Sequence, residues 1–190
     1  MKIFCISRSN NGLRLTPGVD SAVLRPGEPV FVPEPFADWR STVAPAVRLS
    51  RLGMNIREKS ASSYYDSLAP FNILTPVPNS PSDPGLPAFV LDRAFSPGQW
   101  LPVANLAEIT LSATLTPIGS DAPVMEQTRT FAFADLQVDS TISQLSRHIT
   151  FKTGDILVFT DFSLEPFQPV DNTTLEVTIN SVSALSIRIK

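Results

Sequence analysis

Of the 190 residues, one is cysteine and one is histidine. A single thiol cannot form an internal disulfide, so secretion is not implied. Cys5 lies in Lys2-Ile3-Phe4-Cys5-Ile6-Ser7-Arg8, which reads as a short strand. A nucleophilic cysteine wants a neighbouring base, and the sequence places no histidine near it. Cys5 is therefore expected in the core, where free cysteines usually sit. His148 likewise has no second histidine or cysteine nearby, so a metal role is not expected of it. Fifteen basic residues face eighteen acidic ones, a formal charge of −3. With no basic cluster to neutralise a row of phosphates, nucleic-acid binding is not expected. No apolar run approaches a membrane span, and the start carries no long apolar leader, so the expected address is the cytoplasm.

Helix signals are also scarce. Asp139, followed by Ser-Thr-Ile-Ser-Gln-Leu-Ser-Arg-His-Ile, predicts a helix over 139–149 capped by Asp139 and burying Ile142, Leu145 and Ile149. A second, weaker helix is predicted over 57–68, ending before Pro70, with Glu58-Lys59 on a solvated face.

What the chain does have is proline and alternation. Eighteen prolines are nearly twice the usual share. Thr75-Pro76-Val77-Pro78-Asn79-Ser80-Pro81-Ser82-Asp83-Pro84-Gly85 reads as a loop that can sustain neither helix nor central strand. In Glu108–Thr116 apolar and polar residues exchange at every step, the signature of a strand with one buried face. Leu175–Ile179 and Leu185–Lys190 repeat the pattern, and Asn180-Ser181 between them predicts a C-terminal hairpin. Further strands are expected at Val30–Val32, Ala46–Arg51, Thr130–Phe133 and Asp155–Thr160. The reading is one mostly-β, α+β domain over 1–190, with no repeat and no dividing linker.

Four segments, whose order and spacing hold across nearly the whole chain, give it its resemblance to a known family. They are Met1–Arg8; Val47-Arg48-Leu49-Ser50-Arg51-Leu52-Gly53-Met54-Asn55-Ile56 running on to Glu58-Lys59 and Tyr64-Tyr65-Asp66; Gly85-Leu86-Pro87 with Arg93-Ala94-Phe95; and Val138–Arg147 followed by Thr150-Phe151-Lys152-Thr153-Gly154-Asp155-Ile156. Together they resemble the fumarylacetoacetate hydrolase family, with Leu185–Lys190 similar to its terminal strand. The resemblance implies a mixed β-sandwich roll with short helices, usually dimeric.

It also implies a chemistry. Relatives cleave, decarboxylate or isomerise acylpyruvate-like oxoacids with Mg²⁺ or Mn²⁺ held by a Glu-x-Glu pair and an Asp. In this chain the pair falls on Thr42 and Ala44, and the Asp on Asn72. The substrate lysine falls on Arg93, or on Asp92 across a one-residue gap. The family's anion-gripping loop falls on Thr160-Asp161-Phe162-Ser163, and its histidine is missing from Asn10 to Gly18. Thr, Ala and Asn have no Coulombic hold on a hard divalent ion. Asp161 would repel a substrate carboxylate. No cofactor is therefore expected.

A rebuilt site would have to use other residues. Asp83, Asp161 and Glu165 read as solvated loop acids, since a general acid or base needs a positioned partner. Trp39 and Trp100 are either lining residues of the old pocket or ordinary core and rim. The favoured expectation is an inactive family member, kept as a binding or structural protein, working as a homodimer or as a partner subunit of an active relative. The alternatives are an active hydrolase or isomerase using a divalent metal, and a metal-free small-molecule binding module.

Overall fold

The computed structural model describes residues 1–10, 12–32, 38–77, 91–104 and 106–190. In chain order the strands are β1 (Ile3–Ser9), β2 (Gly12–Gly18), β3 (Asp38–Leu49), β4 (Tyr65–Val77), β5 (Phe95–Pro97), β6 (Leu101–Pro102), β7 (Glu108–Pro117), β8 (Met125–Ala132), β9 (Ile156–Phe159), β10 (Thr173–Ile179) and β11 (Val182–Ile189). The α-helices among the described residues are α1 (Glu58–Ala61) and α2 (Val138–Leu145).

Two sheets result. One runs β2-β1-β9-β3-β4-β5, with β6 also on β4; the other runs β11-β10-β7-β8. The first is mixed, because β1 and β9 pair in parallel while its other ladders are antiparallel. This is the expected mostly-β sandwich with short helices.

Alternation decides what each face buries. In the four-stranded sheet Ile109, Leu111, Leu115, Val177, Ile179 and Ile187 are all buried in one core, while Glu176 is exposed and Thr110, Thr114 and Thr178 are partly so. On the seven-stranded sheet Val43, Val47, Phe4, Ile6, Leu157 and Phe159 face that same core. The alternate residues Ala44, Ala46, Ile3, Ile156, Val158, Phe71 and Ile73 form a second cluster on the sheet's other face. That second face carries the site described below.

The predicted hairpin forms between β10 and β11. Asn180 and Ser181 both have positive φ, 50° and 65°, as a two-residue turn matching the strand twist requires. The other strand expectations overlap β3, β8, β9 and β11 but overrun them by one or two residues, at Ser50-Arg51, Phe133, Asp155 and Thr160, and Lys190, and Val30–Val32 forms no strand. Val30 instead bridges in parallel to Ile189.

Three expectations need correction. The helix over 57–68 ends at Ala61, followed by a 3₁₀ turn over Ser62–Tyr64, and Tyr65 already begins β4. Tyr65 to Leu68 is thus drawn into the long ladder with β3, whose core burial outweighs a weak local helix preference. The helix over 139–149 runs instead over Val138–Leu145, and its N-cap is Gln137, at φ 48°, rather than Asp139. Ile142 and Leu145 are buried as expected, whereas Ile149 lies beyond the helix and is only partly buried.

The proline-rich stretch also begins as strand. β4 passes through Pro70 and Pro76, and Pro70 stands opposite Pro45. Backbone groups of even-numbered β4 residues turn away from β3: Leu74 N–H donates to Ala94 O, and Pro70 O accepts from Gly98 N–H. Pro45 and Pro70 therefore form a non-hydrogen-bonded pair, where a missing N–H removes no bond between them. The remainder of the stretch, with Asp83 and the Gly85-Leu86-Pro87 segment, lies outside the described residues.

Asp155 locks the first sheet to its neighbours. Fully buried, its carboxylate accepts the backbone N–H of Lys2 and of Lys152, each at 2.8 Å. The Gly154-Asp155 pair is thus a structural corner, with Gly154 at φ 87° in the region that favours glycine.

Candidate functional site

On the face of the seven-stranded sheet turned away from the inter-sheet core, a cavity of about 330 Å³ opens over β1, β2, β3, β4 and the end of β9. Strand parity brings its walls together. Cys5 and Ser7 are alternate residues of β1, and their partners on β2 are Thr16 and Arg14. Thr42 on β3 stands opposite Ile73 on β4, with Thr75 two residues further along the same face. Phe95 of β5 and Thr160, just after β9, complete the lining.

The chemistry of these walls is hydroxyl-rich, with a single positive charge. Ser7, Thr16, Thr42, Thr75 and Thr160 contribute hydroxyls and Arg14 a guanidinium, and among the described residues no carboxylate lines the cavity. Thr160 Oγ1 donates to Ile6 O at 2.8 Å, which fixes its rotamer. Cys5 is half-buried rather than a full core residue. Burial pushes its thiol up to about 12, so at neutral pH it is a protonated, poor nucleophile.

The residues singled out from sequence divide between three places. Thr42 and Thr160 line the cavity. Ala44 shares their face but is fully buried among Ala46, Phe71 and Ile73. Asn72 does not join them. It pairs with Val43 and so points to the inter-sheet side, where it is buried and accepts a hydrogen bond from Ser41 Oγ at 2.6 Å. A one-residue parity difference separates it from the Thr42 face.

Asp161 also turns elsewhere: its carboxylate accepts the backbone N–H of Arg8, fastening β1 to the turn after β9. Arg93 is half-exposed at φ 62°, and its Nε lies 3.7 Å from Glu28 Oε2. Asp92 is exposed. Neither lines the cavity. Trp39 is buried in the inter-sheet core, and Trp100 lies against the guanidinium of Arg48 at 5.0 Å; the cavity uses neither. His148 and Glu165 are exposed.

Sequence reading missed Ser7, Arg14, Thr16 and Thr75. The signal existed in the two-residue periodicity of β1, but the partner strand β2 and its register were not readable. Among the described residues, no three His, Cys, Asp or Glu side chains come together to hold a metal ion. Among the described residues, the donor set around Thr42 lacks the anionic oxygen ligands that Mg²⁺ and Mn²⁺ need. No helix among the described residues is long and apolar enough to cross a membrane.

By sequence, the chain matches no family model and no curated protein. By structure it is similar to 2-hydroxyhepta-2,4-diene-1,7-dioate isomerase from Mycobacterium marinum, with a TM-score of 0.78 at 16% identity, over 99% of this chain and 73% of that one. It is similar to a protein assigned to the fumarylacetoacetate hydrolase family from Yersinia pestis CO92, at TM-score 0.75 and 17% identity, over 100% of this chain and 93% of that one. It is also similar to fumarylpyruvate hydrolase from Pseudomonas aeruginosa, solved with Mn²⁺ and pyruvate, at TM-score 0.69 and 15% identity, over 100% and 89%. Likeness at these identities is a statement about the fold, and this chain has it over nearly its whole length.

Proposed function

We propose that this chain, which has the fold of the fumarylacetoacetate hydrolase family, is a divergent member without the metal-dependent reaction, kept as a small-molecule binding protein. It works as a homodimer or as a partner subunit of an active relative. The observation that supports the reading is the cavity over Thr42. Where a hard divalent ion would need carboxylates, the described walls offer hydroxyls, a protonated thiol and one guanidinium. Such a lining suits a ligand that is neutral or carries a single negative charge. Its hydroxyls donate and accept hydrogen bonds with equal ease, and Arg14 can take up one anionic group.

A second reading is an active hydrolase or isomerase of acylpyruvate-like oxoacids using a divalent metal. It is favoured by the likeness to the Mn²⁺- and pyruvate-bound hydrolase. Calorimetry separates the two. The wild type is expected to show no heat of binding with Mg²⁺ or Mn²⁺, with or without oxalate, and no acylpyruvate turnover above background. Tight Mn²⁺ binding overturns the first reading and establishes the second.

The geometry adds a control. Thr42→Glu with Ala44→Glu places two carboxylates on one face of β3, and Asn72→Asp adds its carboxylate on the other face. The triple variant is therefore expected to bind Mn²⁺ no more tightly than the double one. A large gain from Asn72→Asp would mean that β4 presents Asn72 to the cavity after all.

A further inference from the structure

Along one side of the sandwich the two sheets meet at their edge strands, β5 and β11. Gln99 N–H donates to Ala184 O. A Cβ on Gly98 would lie 2.5 Å from that same carbonyl, so the approach depends on glycine there. A strap then crosses from one sheet edge to the other. Leu24 N–H is bonded to Phe95 O and Val30 N–H to Arg188 O, with the chain turning between them at Gly27, φ 84°. Under the strap remains a cavity of about 280 Å³, near the lower end for small-molecule sites, about 300 Å³.

This cavity is distinct from the one over Thr42. Phe95 faces that site, whereas Ser96, the next residue of β5, lines this one, because successive strand residues point to opposite faces. Leu24, Pro97, Leu185 and Ile187 give apolar walls. Ser96 is 2% exposed, and among the described residues its Oγ has no hydrogen-bond partner. A buried hydroxyl without a partner destabilises the fold by the cost of its desolvation. A hydroxyl in that state, lining a cavity, is a bond waiting for a ligand atom. At the rim stand exposed Arg25 and partly buried Glu28, the carboxylate of Glu28 already beside Arg93. Arg25, Arg93 and Glu28 together leave one net positive charge at the mouth.

We propose that this seam cavity binds a small, largely apolar monocarboxylate carrying a hydroxyl or carbonyl at the end remote from its carboxylate. The remote oxygen pairs with Ser96 Oγ, the apolar body lies between Leu24 and Leu185, and the carboxylate stays at the wet mouth beside Arg25. The reverse orientation would bury a charge against a single hydroxyl, which is unfavourable.

The test titrates the full chain with 4-hydroxybenzoate and, separately, with benzoate, followed by amide chemical shifts and calorimetry. Saturable one-to-one binding of 4-hydroxybenzoate is expected, with shifts centred on Ser96, Leu185 and Ile187. Benzoate is expected to bind about tenfold more weakly, the worth of one hydrogen bond. Ser96→Ala should make the two acids equal, and Arg25→Gln should weaken both. Without ligand, Ser96→Ala should melt no lower than the wild type, because the hydroxyl has no bond to lose. The proposal is overturned if neither acid saturates, if the wild type binds both equally, or if the shifts centre on Thr42 and Thr160. A fall in melting temperature for unliganded Ser96→Ala also overturns it, because the hydroxyl would then already have a partner, such as a buried water.

Discussion

Among the described residues, Cys5 and Tyr65 carry the largest departures from ordinary titration. Burial raises the Cys5 thiol from 9.0 to about 12. Tyr65 is raised as well, first by burial and then by the charge of Asp139 and a hydrogen bond with it. The sign of the linkage follows. Each group ionises at lower pH in the unfolded chain than in the folded one, so the unfolded state loses protons first and stability falls as pH rises. For Cys5 the contribution is fully present below pH 9 and lost between pH 9 and about 12. The urea midpoint of the wild type is thus expected to fall across that window, and that of Cys5→Ala to fall less steeply. The same burial should make Cys5 alkylate far more slowly at pH 7.5 than a free thiol, since only the thiolate reacts. Alkylation of the native protein at the rate of free cysteine would remove both expectations.

At the scale of the element, β10 shows what alternation can carry. Val177 and Ile179 are buried, and Glu176 is exposed between Leu175 and Val177, as the two-residue period of this segment dictates. Ile179→Ala should cost about 2–5 kcal/mol, counting lost burial and the void left behind. Thr178→Ala should cost little. Chemical denaturation of the two variants checks this, and equal losses would place the register one residue off. The hairpin and the faces of β7, β10 and β11 were legible because each element's pattern is local and one-sided.

β4 was not legible, for the opposite reason. Between Ser67 and Leu74 every residue is buried, so no alternation marks it, and Pro70 and Pro76 argue against a strand until their backbone direction is known. The same gap accounts for Asn72. Its residue type and spacing suggested a common site with Thr42 and Ala44, yet the face it occupies is set by pairing with Val43, a long-range register that spacing does not contain. Thr42 and Thr160 were legible as cavity residues only through the family resemblance. Ser96 carried no sequence signal at all, since its burial arises where two sheet edges meet.

Over the whole molecule, the edges of the two sheets limit how copies can associate. Outer strand β8 reads Met-Glu-Gln-Thr-Arg-Thr-Phe-Ala and is largely exposed, with Glu126 and Arg129 supplying the charge that discourages strand-to-strand addition. At the opposite end of its sheet, β11 is already covered by backbone bonds to Val30 and Val32. Outer strand β2 of the seven-stranded sheet contains Pro17, which removes an N–H from that edge. Extension of either sheet across a two-fold axis is therefore disfavoured, and the homodimer proposed above has to form through faces and loops. Exposed Leu52 and Met54 supply apolar area beside the turn that pairs Gly53 with Phe151. Light scattering after size-exclusion chromatography is expected to give twice the 20.7 kDa chain mass. Leu52→Glu with Met54→Glu, both solvent-facing and hence harmless to a monomer's stability, should shift that mass toward a single chain. A wild-type mass of one chain at micromolar concentration would rule out the homodimer. The partner-subunit arm would then stand only if mixing with an active relative restored a dimer.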